Sequence, residues 1–200
     1  MNPLDTIKGT LIAGLVVAIA LAFVVTQHTG FNMLLLARWL HIAAGVTWIG
    51  LLYYFNFVQA PGLAAAAADK GGPGGAGITK YVAPRALLWF RWGAVVTWLS
   101  GAAYLEHVGW LAGAFTFGAM GTMPPNHNAI GIGAWLGTIM LFNVWVLIWP
   151  NQKKILGIVP ATDDEKAKAR RTAFLASRTN TMLSLPMLMF MAASAHGLPF

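Results

Sequence analysis

Cysteine is absent from the 200 residues. Its absence excludes disulfides, thiolate metal sites, iron–sulfur clusters and a covalent c-type haem on a Cys-x-x-Cys-His motif, so any cofactor must be held by other ligands. Charge is scarce as well. Only 10% of residues are charged against 58% hydrophobic, outside the range of a soluble domain of this size. Acidic residues are the fewest, 6 against 13 lysines plus arginines. In a soluble protein that excess would point to nucleic acid. Here the basic residues lie in a few loops flanking apolar runs, and none of those loops interleaves them with aromatics, so lipid headgroups and membrane topology account for them better. A paired carboxylate, a His-Glu-x-x-His motif, a phosphate loop and a dinucleotide fingerprint are also missing.

What remains is long apolar runs. Stretches able to cross a bilayer of about 30 Å occur near residues 9–26, 33–58, 85–105, 129–149 and 172–195. Backbone groups have no water partners in hydrocarbon, and the alternation expected of a membrane barrel is missing, so the expected fold is all-α: one polytopic helical bundle spanning residues 1–200, with about five transmembrane helices. The first run resembles a signal sequence, but its core is long and it lacks a clear small-x-small cleavage site before His28, so it reads as a retained helix. Residues 61–81, with five consecutive alanines and Gly71-Gly72-Pro73-Gly74-Gly75, read as a flexible linker. Residues 151–171 read as a basic connector carrying Lys153, Lys154, Lys166, Lys168, Arg170 and Arg171, with Asp163, Asp164 and Glu165 as a helix-start cluster. Residues 109–128, with Pro124-Pro125 and neither lysine nor arginine, read as a surface loop or re-entrant cap. The positive-inside rule then places the amino terminus in the cytoplasm and the carboxyl terminus outside it.

Against this background a few residues could carry chemistry. His41 falls roughly 12 Å inside the second span, where an imidazole either bonds a neighbouring helix or ligates a cofactor. His28, His107, His127 and His196 fall at the outer ends of other spans. A b-type haem needs two neutral imidazoles from facing helices, an apolar slot and a cation for the propionates. His41 is the expected first ligand of the haem iron and His196 or His107 the second, with Trp39, Trp48 and Trp98 walling the ring and Arg38 meeting a propionate. Methionines at 120, 123, 182, 187, 189 and 191 raise copper as a rival metal. Glu106 beside His107 is either a proton relay or an interfacial polar pair. Toward the cytoplasmic side, Arg91, Asn143 and Arg178 fall at similar depth, and no span holds an acid to neutralise the arginines. They either snorkel or, with Asn56 and Asn180, line a site for an anionic ligand, in which case Arg91 and Arg178 should approach each other or a common group.

Several segments resemble the membrane region of the bacterial membrane-bound urate oxidases, also called urate hydroxylases: Arg38-Trp39-Leu40-His41 through Trp48-Ile49-Gly50, Gly133 to Met140, Asn143 to Gln152, Arg178-Thr179-Asn180-Thr181 through Leu185-Pro186, and Ser194-Ala195-His196. The Leu-His segment followed by Trp48 and Gly50 is also similar to haem-binding membrane protoporphyrinogen oxidases. The urate oxidase resemblance implies an integral membrane oxidoreductase passing electrons from urate to a cytochrome c outside the cytoplasm, with the two arginines suiting a urate anion. The chain departs from that pattern in having no Cys-x-x-Cys-His. The alternative is a cofactor-free accessory subunit, packed against other membrane subunits of a larger respiratory or photosynthetic complex.

Overall fold

A computed structural model describes residues 2–26, 32–121 and 128–198. Its described residues are helical throughout their ordered elements, with no strand. The chain divides into two compact units, Met1–Met33 and Leu34–Phe200.

In the first unit a short 3₁₀ turn, Pro3–Asp5, is capped by Asn2, whose side chain accepts from the Leu4 amide, and leads into α1, Ile7–Thr26. The turn folds back on the helix so closely that a Cβ at Gly9 would lie 2.2 Å from the Pro3 carbonyl oxygen. Helix α1 is apolar all round and buries none of its length, as a lipid-facing helix does.

The second unit is built from long helices, several of them interrupted by π turns. Helix α2, Met33–Tyr53, runs through a π turn at Tyr54–Gln59 into α3, Ala60–Ala68. The run of alanines is the best helix-forming composition available, so the first part of the 61–81 connector continues the helix and only 69–75 is irregular. A π turn at Ile78–Val82 leads into α4, Ala83–His107. Within the expected cap, α5, Leu111–Thr116, lies on the start of α6, Asn128–Phe142, where a Cβ at Gly131 would come within 2.4 Å of the Ala114 carbonyl oxygen. A third π turn, Asn143–Ile148, joins α6 to α7, Trp149–Ile155. Helix α8, Asp163–His196, opens on a capping box between Thr162 and Glu165.

The core gathers Trp48, Ile49 and Leu52 of α2, Leu87, Phe90 and Ala94 of α4, Met140, Val144 and Ile148 of the α6 rod, and Ala176 and Met187 of α8. Among the described residues three helices are long and apolar enough to cross a membrane: Ile7–Val25, Met33–Ala68 and Asn128–Ile155.

Candidate functional site

Helices α2 and α4 run antiparallel along a seam of small residues. Gly93, Thr97 and Gly101 recur every fourth position on α4, and across from them stand Trp48, Gly45 and His41 in that order. Small side chains at this spacing let two backbones approach. A Cβ at Gly93 would lie 3.5 Å from the Trp48 amide nitrogen, and one at Gly101 would lie 2.8 Å from His41 Nδ1. The imidazole therefore occupies the space that glycine leaves open.

One hydrogen bond sets the chemistry of that ring. His41 Nδ1 stands 2.7 Å from the Thr97 carbonyl oxygen. A carbonyl only accepts, so Nδ1 carries a proton in this contact, and a neutral ring of that tautomer has its lone pair on Nε2. Backbone carbonyls commonly orient metal-bound histidines in this way. Seven residues along α2, the Trp48 side chain is 2% exposed, and its indole N–H is buried with no hydrogen-bond partner among the described residues. Such a group is costly to leave unpaired. At the other end of the seam Arg38 donates to the Tyr104 hydroxyl, with its guanidinium 4.9 Å from that ring.

The remaining residues expected at a haem are dispersed. Trp39 is half exposed on the surface, and Trp98 donates to Thr138 Oγ1 of α6 at 2.8 Å, so neither is committed to the His41 ring. His107 ends α4 six residues past Gly101, about 9 Å further along the axis and about 240° round it, so α4 does not bring it opposite His41. His196, exposed at the end of α8, is better placed. Tyr53 Oη and Ser184 Oγ are hydrogen-bonded at 2.9 Å. From that bond His41 and His196 each lie twelve residues away on their own helices, about 18 Å of helical rise. His28, His127 and Met123 lie outside the described residues. Of the other methionines, Met187 is in the core while Met120 and Met182 are exposed, so they do not converge on copper. Among the described residues no group of three or more His, Cys, Asp or Glu is able to hold a metal ion.

The residues expected to line an anion site are engaged elsewhere. Asn143 Nδ2 donates to Asn180 Oδ1 at 2.8 Å, and Asn180 Nδ2 donates to the Met140 carbonyl at 3.0 Å. Asn56 Nδ2 donates to the Leu52 carbonyl and to Ser177 Oγ. Arg91 lies over the Trp149 ring and Arg178 over the Phe174 ring, so the two guanidiniums rest on different groups instead of on a common one. Sequence reading missed Thr97 and Gly101. The four-residue spacing from Gly93 was the available signal.

Comparison with known proteins bears on the same segments. The family model described as urate oxidase N-terminal matches residues 27–118 and 107–200, including the His41 seam, the π turn at Asn143 and α8. The chain belongs to the urate oxidase N-terminal family. No curated protein and no solved structure matches it. Family membership together with the three apolar helices makes the chain a urate-oxidase-like membrane protein. Within this family member, the α2–α4 seam is the place where the His41 ring meets a backbone carbonyl of the facing helix.

Proposed function

We propose that this urate-oxidase-like protein is a redox subunit of the bacterial inner membrane that holds a b-type haem and passes electrons to a cytochrome c outside the cytoplasm. The observation that carries the reading is the His41 bond to the Thr97 carbonyl, which in the neutral ring would leave the Nε2 lone pair for a metal. His41 and His196 would ligate the iron, Trp48 would offer its unpaired indole N–H at the seam, and Arg38 would meet a propionate. When bound, the haem supplies one-electron chemistry at a potential set by its axial ligands and its burial. The chain's own part is to fix the imidazole and exclude water.

Five crossings suit this arrangement. Helix α4 is 25 residues and α8 is 34, each longer than a bilayer requires, although Arg85, Arg91 and the charged start of α8 dilute their apolar character. If these and α1, the α2–α3 rod and the α6–α7 rod all cross, the basic connectors would fall on one side, which the positive-inside rule makes the cytoplasm.

The test is a reduced-minus-oxidised visible spectrum with pyridine haemochrome quantitation on protein purified gently from its native membrane. A stoichiometric b-type signal should vanish in His41→Ala, change coordination state in His196→Ala and persist in His107→Ala. A haem-free preparation that retains its partners would sink the reading. It would favour the cofactor-free accessory subunit instead, to which Asn56, bonded to Ser177, and Asn143, bonded to Asn180, are suited as structural glue.

A further inference from the structure

Far along the bundle from His41, where Lys80 precedes α4, Arg85 lies in its first turn and Lys153 and Lys154 end α7, a single indole carries two cations. The Arg91 guanidinium carbon stands 3.8 Å from the centroid of the Trp149 ring. The Lys153 ammonium, one turn along α7, stands 6.0 Å from the same centroid. No acid closes this group. The sequence has no Asp or Glu between Asp69 and Glu106 or between Glu106 and Asp163, and the one salt bridge among the described residues joins Lys166 to Asp163. Neither does any described hydrogen bond take up the Arg91 guanidinium, which is half-buried within the apolar part of α4.

An indole face attracts a cation without neutralising it, and two like charges sharing one ring repel. The remaining balance calls for an anion. A planar guanidinium with five donors matches an oxyanion that accepts in bidentate fashion, and an ammonium on the same indole adds to the local positive charge. A tryptophan at the end of an apolar helix marks the headgroup level, where the oxyanion present in quantity is a lipid phosphate.

We propose that Arg91, Lys153 and Trp149 form a phosphate site that seats the headgroup of an anionic phospholipid. The site uses none of the residues assigned to haem and stands whether or not His41 binds one.

The experiment uses the full chain reconstituted in bilayers of phosphatidylcholine doped with phosphatidylglycerol, washed in detergent and weighed by native mass spectrometry. The wild type should keep phosphatidylglycerol in preference to phosphatidylcholine. Arg91→Gln and Lys153→Gln should each lose about tenfold of that retention, as expected for one charge-assisted contact. Arg91→Lys should recover part of it, and Lys168→Gln, exposed on α8, should match the wild type. Circular dichroism on each variant separates a lost site from a lost fold. Equal retention by Arg91→Gln and the wild type, both folded, would overturn the proposal, as would equal retention of the two lipids. A parallel titration with inorganic phosphate distinguishes the source: if free phosphate binds and lipid does not, the assignment to a headgroup fails.

Discussion

Gly101 is the residue on which the His41 ring depends most directly. An added methyl would lie 2.8 Å from Nδ1 and 2.9 Å from Cε1, distances that force the ring off the α4 backbone and break its bond to Thr97. Gly101→Ala should therefore destabilise the protein by about 1–3 kcal/mol, the usual cost of overpacking. Gly50→Ala, where a Cβ meets nothing within 4 Å, should be neutral or gain about 1 kcal/mol from helix propensity. Unfolding titrations of the two variants in micelles check the contrast, and equal stabilities would mean that the seam yields. His41 was legible in the sequence because an ionisable group in an apolar run is conspicuous. Its partner was not, because a backbone carbonyl carries no letter of its own, and Gly101 is one of 22 glycines.

Prolines shape the elements. Each π turn ends directly before a residue pair whose second member is proline: Pro61 after Tyr54–Gln59, Pro84 after Ile78–Val82 and Pro150 after Asn143–Ile148. A proline ring clashes with the carbonyl four residues back. Widening the preceding turn moves that carbonyl aside, and the bonds from Ala60 to Phe55, Ala83 to Ile78 and Trp149 to Val144 show the five-residue step. Pro186 lies within α8 without such a turn. The inserted residue also rotates the helix beyond it, so faces counted from one end of a rod do not carry through to the other. At the start of α8 the local signal was complete. Glu165 accepts from the Thr162 amide at 2.8 Å and from its hydroxyl, which holds the carboxyl below its usual range. A depressed carboxylate contributes stability above its unfolded pKa and loses it as pH falls through the folded one. Hydrogen exchange at the first turn of α8 should thus quicken on acidification below the ordinary glutamate range, whereas in Glu165→Gln, which keeps a capping acceptor, it should not respond to the carboxyl titration. A pH-independent wild type would rule this out.

Across the bundle, α8 is fastened by a ladder of polar contacts: Asn56 to Ser177, Asn143 to Asn180, and Tyr53 to Ser184. Asn180, fully buried, is its centre and also donates to the Met140 carbonyl. Asn180→Ala leaves both partners unpaired and should cost about 1–2 kcal/mol. Asn151→Ala, which removes a bond only to the Leu147 carbonyl of its own helix, should cost less, and comparing the two by unfolding in micelles tests whether the ladder holds α8.

The amino-acid order was sufficient to point to lipid as the solvent and helices as the elements and to single out His41, because composition, run length and charge placement are local properties. Packing settled which groups meet. Asn143 and Asn180, read as ligand-lining, bond each other. Arg91 and Arg178, expected on a common group, rest on separate rings. His41 finds its acceptor 56 residues away on α4. Each of these pairings depends on how far one helix is turned relative to another. That rotation is set by small-residue seams and by π turns, and neither can be read from a single run of apolar letters.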